Sequence, residues 1–337
     1  MKKTTLITSI VLICILIAGL CGWYFAGSGN TTSAPMESIT VAYSPFESTA
    51  LLWVAEDRHF FAENGLNLSL KKYESGAGSL DGVLNGEADL TVGVTEFPLV
   101  RKVFQGAPAR AIGNIDRGDF TYLVARKDRG IANASDLRGK RVGTTKGTIA
   151  EFHLGRLLSL NGMTMSDITL VDVRTPEGWV NDVADGKLDA IVTAQPYADE
   201  ARDRLGDNAV MWSAQSRQPL FALAVSTDMW LSKHPGTAQK FLASMAQAEE
   251  YVHAHPAESK TIVQKRLNLD AGYMETVWNQ NQFSLTLDQS LISAMEDEAR
   301  WMIANNMTNA TAVPDIRHYI YPDAMESVRP GSVRIIG

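Results

Sequence analysis

Val83-Leu84-Asn85-Gly86-Glu87-Ala88-Asp89-Leu90-Thr91-Val92 and Val183-Ala184-Asp185-Gly186-Lys187-Leu188-Asp189-Ala190-Ile191-Val192 align without a gap. Each reads as a helix end, a glycine cap, a turn carrying an aspartate, and a buried strand. Outward from the first copy, 39–43 is a β-type run. Leu51, Leu52, Val54, Ala55 and Phe60 recur at helical spacing, and Asn64-Gly65 stops that helix. Residues 66–72 alternate as a strand does, and Glu74-Ser75-Gly76 opens the next helix. Around the second copy, strands are expected near 140–143, 168–173 and 188–193, with helices at 149–159 and 179–184. Strands alternating with helices predict a parallel sheet, here twice over.

Two more apolar runs, 120–125 and 220–225, lead out of the first and second halves. With two such crossings, one lobe holds 38–124 plus 226–337 and the other 125–225. After Asp228 the chain reads as helical to about Asn305, with breaks at Pro235 and Pro256. The expected class is α/β, two lobes, each a mostly parallel sheet flanked by helices.

The 337 residues are 45% hydrophobic and 20% charged, which is globular composition and excludes a disordered chain. Net charge is −7, and the first 35 residues hold Lys2 and Lys3 with no acid, leaving −9 for the rest. So acidic a body argues against nucleic-acid binding, which needs a basic face. Residues 6–26 carry no charge and follow two lysines, the pattern of a signal peptide or a membrane anchor. A Gly/Ser/Thr tether follows, so 1–37 are expected to direct export and hold the protein at the membrane. Both cysteines, Cys14 and Cys21, lie in the apolar run, which excludes disulfides and thiolate metal sites from the body.

Gly76-Ala77-Gly78-Ser79-Leu80-Asp81 follows a strand, but Asp81 stands where a dinucleotide fingerprint has its third glycine. There is no Gly-x-x-x-x-Gly-Lys, no Gly-x-Ser-x-Gly and no His-Glu-x-x-His. No cofactor, metal or catalytic residue is expected. Thr144-Thr145-Lys146-Gly147-Thr148 lies between a strand and a helix, where backbone N–H groups and the helix dipole suit an anion.

In an α/β sheet, ligands sit at the loops leaving the strands' carboxyl ends. The expected ligand-binding set is therefore Ser44, Glu47, Ser75, Gly76, Thr95, Glu96, Thr145, Lys146, Gly147, Thr148, Trp179, Gln195 and Tyr197. Hydroxyls, an amide and aromatics without a nucleophile–base pair suit recognition rather than catalysis. The Lys146 turn predicts an anionic group on the ligand, and Glu47 and Glu96 predict an amino or other donor end. Trp179, Tyr197 and Phe97 are expected to pack on its middle.

Four stretches resemble a known family. They are Ala50-Leu51-Leu52-Trp53-Val54-Ala55 with Phe60-Phe61-Ala62-Glu63-Asn64-Gly65-Leu66, Leu84-Asn85-Gly86-Glu87-Ala88-Asp89, Asp136-Leu137-Arg138-Gly139-Lys140-Arg141-Val142-Gly143 with Lys146-Gly147-Thr148, and Gly186-Lys187-Leu188-Asp189-Ala190 with Pro196-Tyr197. Over about 38–330 the chain looks like the substrate-binding proteins of ATP-driven importers for nitrate, aliphatic sulfonates, taurine and thiamine precursors. Ala194-Gln195 stands where many of those relatives have Trp-Glu. The resemblance implies the type II periplasmic-binding-protein fold, ligand capture by hinge closure, a permease and an ATPase as partners, and a monomer. The same fold also implies two other readings. One is an enzyme of cofactor-precursor synthesis; the other is the ligand-sensing partner of a signalling system.

Overall fold

The computed structural model describes residues 36–336. The expected export segment and most of its tether lie outside the described residues. Among the described residues, no helix is long and apolar enough to cross a membrane.

Ten strands build two five-stranded sheets. β1 (Glu37–Tyr43), β2 (Leu66–Lys72), β3 (Leu90–Thr95) and β4 (Ala109–Gly118) belong to the first. β5 (Thr121–Arg126), β6 (Arg141–Thr144), β7 (Thr169–Asp172), β8 (Ala190–Ala194) and β9 (Ala209–Ser213) form the second, and β10 (Leu220–Thr227) returns to the first. The orders are β2-β1-β3-β10-β4 and β7-β6-β8-β5-β9, one topology used twice. β1 pairs parallel with β2 and β3, and β10 runs antiparallel to both β3 and β4. In the second sheet β6 is parallel to β7 and β8, while β5 opposes β8 and β9. Four strands of each sheet therefore share a direction and one opposes them.

The opposing strand of each sheet follows the other sheet's run of chain. β5 lies wholly in the second sheet and β10 wholly in the first, so the crossings fall at 119–120 and 214–219. The expected lobe boundaries, at 124/125 and 225/226, fall inside these strands. Pairing decides this: β10 exchanges hydrogen bonds with β3 and β4 along its length, which a bare connection would leave unmade.

The echoed decapeptides do the same work in both sheets. Each closes a helix, Gly76–Leu84 or Pro176–Ala184, with a left-handed glycine, Gly86 at φ +74° or Gly186 at +75°. Asp89 Oδ2 accepts from Thr40 N–H at 2.7 Å, and Asp189 Oδ2 accepts from Arg141 N–H at 2.8 Å. Each aspartate thereby pins the start of the third strand beside the first.

Apolar residues alternate across the strands. Leu123 packs on one face of the second sheet with Val142, Leu154 and Leu158; Val124, next to it, packs on the other with Val180, Val183 and Ile191. The first sheet carries a larger core, including Trp53, Phe97, Phe221 and Phe241. The C-terminal helices cover it. Pro235 and Pro256 open helices Pro235–Ala254 and Pro256–Leu267 at the position where a missing N–H is harmless. The helical region is interrupted between Val277 and Gln289, where Thr286 bridges to Asn114 of β4.

Candidate ligand-binding site

The loops at the carboxyl ends of the two sheets face one another across a cavity of about 190 Å³. From the first sheet, Ser44, Glu47, Ser75, Gly76 and Thr95 line it; from the second, Thr145, Thr148, Trp179 and Gln195 do so. Nine of the thirteen expected residues thus converge on one site. Local structure places them. Ser75 caps its helix by accepting from Gly78 N–H at 3.1 Å. A Cβ on Gly76 would press on the Val94 backbone, so glycine lets this helix start tight against β3. Trp179 Nε1 donates to the Val173 carbonyl at 2.9 Å, which sets the indole against the cavity. Gln195 Oε1 accepts from Asp199 N–H at 3.1 Å.

The structure places the other four elsewhere. Glu96 begins a helix but is fully buried away from the cavity, accepting from Phe221 N–H at 3.1 Å and lying beside Glu298. Tyr197 stands behind Trp179, edge to face at 5.6 Å. Lys146 is exposed, and its N–H donates to Asp172 Oδ1 at 3.0 Å. Gly147 N–H donates to Glu151 Oε2 at 2.7 Å. Phe97 is also outside the cavity, stacked on Phe152 at 5.8 Å.

The expected anion turn is therefore partly occupied by the protein itself. Asp172 and Glu151 take the backbone donors of Lys146 and Gly147, while Thr148, Ile149 and Ala150, at a helix start without a side-chain cap, line the cavity. Thr145 Oγ1 donates to Val173 O at 2.6 Å, and Thr148 Oγ1 to Thr145 O at 2.7 Å. Lys146 was expected to carry the charge, but its side chain is exposed and does not line the cavity.

Other lining residues were not expected. Phe120 lies on a crossing, and Thr121 and Leu220 begin the strands that follow the crossings; chain passing between the sheets must border the space between them. Thr193 lies one residue before the loop that was read, and Phe46 and Ser48 flank Glu47. Arg174 is the one basic side chain among the described lining residues; it is 83% exposed and pairs with Asp172 at 2.9 Å.

The first-sheet wall is acidic and under-satisfied. Glu47 is 4% exposed, and burial pushes its carboxyl above the usual carboxylate range. Tyr273 stands beside it, and its buried hydroxyl partly offsets that shift. Asp116 lies near, fully buried with both oxygens unpartnered; burial first, then the Glu47 charge, drives its carboxyl well upward. No histidine or cysteine lines the cavity among the described residues, and no group of three or more metal-ligating side chains occurs there.

The fold is that of two α/β sheets with a cavity between the loops at their carboxyl ends. Residues 47–259 match the family described as NMT1/THI5 like, and the chain belongs to it. It is 25% identical over 224 residues to 4-amino-5-hydroxymethyl-2-methylpyrimidine phosphate synthase of Aspergillus parasiticus. That match covers 62% of this chain and 64% of the relative, less than two thirds of the relative's length. Among solved structures it is similar to the alkanesulfonate-binding protein SsuA of Xanthomonas axonopodis pv. citri bound to MOPS. The TM-score is 0.73 at 17% identity, covering 86% of this chain and all of that one (100%). The periplasmic aliphatic sulphonate binding protein SsuA of Escherichia coli gives 0.71 at 17% identity, covering 86% and 92%. At that identity the likeness is one of fold.

Proposed function

We propose that this chain is the extracytoplasmic solute-binding protein of an ABC importer. It captures a small organic ligand between two lobes, one on each sheet, which close about the two crossings. Residues 1–37 direct export and tether it at the membrane. A permease and its ATPase read the closed form. The observation that carries this reading is the cavity itself. Both sheets contribute hydroxyls and aromatic faces and the second adds an amide, while the imidazole that meets a lining hydroxyl, His153 against Thr121 Oγ1 at 3.0 Å, is fully buried and pushed down to about 3.

Native mass spectrometry of protein purified from its own host should find a co-purified small molecule. Rebinding it should raise the melting temperature by mass action and shrink the radius of gyration in solution scattering. Stabilisation without compaction would keep capture and remove hinge closure. The fungal synthase relative favours a second reading, an enzyme on the same fold. Release of a changed molecule by the purified chain would establish that reading instead.

A further inference from the structure

The cavity's polar groups are unequally satisfied. On the second-sheet side the Lys146 and Gly147 N–H groups are spent on Asp172 and Glu151. The single basic lining residue, Arg174, is solvated and paired. On the first-sheet side the acceptors are buried and waiting. Ser44 Oγ lines the cavity from a fully buried residue and has no partner among the described residues. Across from it Thr193 Oγ1, on a residue 1% exposed, is likewise unpartnered. Glu47 lines the cavity beside Tyr273 and near Asp116, and none of the ion pairs among the described residues involves it. Leaving buried hydroxyls unpaired is unfavourable, and a buried carboxylate without a counter-charge is more so.

Resting on the solute-capture reading, we propose that the first-sheet wall is a receptor for a cationic N–H donor, an amine or amidine. Glu47 is the residue that determines specificity. The ligand is then an organic cation with an apolar, planar body, and oxyanions such as sulfonates are excluded. Ser44 and Thr193 accept further N–H groups from opposite sides, while Phe46 and Trp179 cover the body. This departs from the anionic end that the Lys146 turn suggests in sequence, because the Lys146 and Gly147 N–H groups are taken and the Lys146 side chain does not line the cavity. Burial without a counter-charge also holds the Glu47 carboxyl upward, as expected of an acceptor whose cation arrives with the ligand.

Three probes of one size decide it: benzamidine, benzamide and benzenesulfonate, titrated calorimetrically into the full-length chain in detergent. Benzamidine should bind, and benzenesulfonate should not. Glu47→Gln, close to isosteric, should weaken benzamidine by roughly 10- to 100-fold, the worth of a charge-assisted hydrogen bond. The same substitution should raise the melting temperature of the ligand-free protein, because it removes a buried acid that has no counter-charge. Tight benzenesulfonate binding that Arg174→Ala abolishes and Glu47→Gln leaves alone would overturn the cationic receptor and leave solute capture standing. A drop in ligand-free melting temperature on Glu47→Gln would overturn it too, by making Glu47 a structural acceptor. Indifference to all three probes, together with no co-purified molecule, would overturn both readings.

Discussion

Two glycines show how much a single residue carries. Gly86 holds φ +74° with nothing within 4 Å of the place a Cβ would take. Gly147 holds φ +81°, and there a Cβ would collide with the Arg101 guanidinium. Gly86→Ala should cost about 1–2 kcal/mol, the left-handed backbone strain alone. Gly147→Ala should cost more, by the displacement of Arg101; equal losses in urea melts would show that Arg101 moves aside freely. Asp189 offers a second test. Burial opposes its charge, but hydrogen bonds from Arg141 outweigh that and hold the carboxyl below its usual range. A depressed acid stabilises above its unfolded pKa and loses that contribution as pH falls through the folded one. Asp189→Asn should therefore reduce the loss of stability on acidification below about pH 4, read by calorimetry.

The helices Ile149–Leu160 and Gln289–Ala304 meet on either side of the aromatic group Phe97, Phe152 and Trp301. Phe97 stacks on Phe152, and Trp301 stands edge-on to both, at 5.9 and 5.6 Å. The approach is close because Gly155 has no side chain; a Cβ there would run into the Trp301 indole. Gly155→Ala should destabilise by about 1–3 kcal/mol through overpacking and alter Trp301 fluorescence. Unchanged fluorescence would mean that the helices separate without disturbing the ring. This contact explains why Phe97 is absent from the cavity. Its spacing marks an apolar helix face, but which neighbour that face meets depends on a helix two hundred residues away.

Across the whole molecule, buried acids set the pH response. Burial pushes Glu96 up to about 8, and Glu298 well above its ordinary value, with Glu96 beside it adding to the shift. Glu47, Glu151 and Asp116 move the same way, chiefly by burial. A raised carboxyl contributes stability below its unfolded pKa and loses it as pH rises through the folded one. His153, buried and pushed down to about 3, works oppositely but only below its ordinary 6.5. Between pH 6.5 and 8 the carboxyls act alone, so the melting temperature should fall as pH rises across that window. Glu96→Gln should flatten the slope; an unchanged slope would assign it to other groups.

The two-sheet plan was legible because local chemistry writes it twice. A left-handed glycine, an aspartate that binds the first strand and a buried third strand need only ten residues in a row, Val83 to Val92 and Val183 to Val192. The loops bordering the cavity were legible for the same reason, since strand ends and helix starts are short-range events. Side-chain direction was not. Glu47 and Glu96 both follow a strand and open a helical turn, yet one lines the cavity and the other lies against Phe221 and Glu298. The Lys146 turn has an anion receptor's sequence, but Asp172 from a neighbouring strand and Glu151 from the next helical turn consume two of its donors. Sequence alone determined the strands, caps and loops, whose hydrogen bonds close within a few residues. Only the tertiary structure decided which polar groups remain unpaired at the cavity, because their partners arrive from distant parts of the chain.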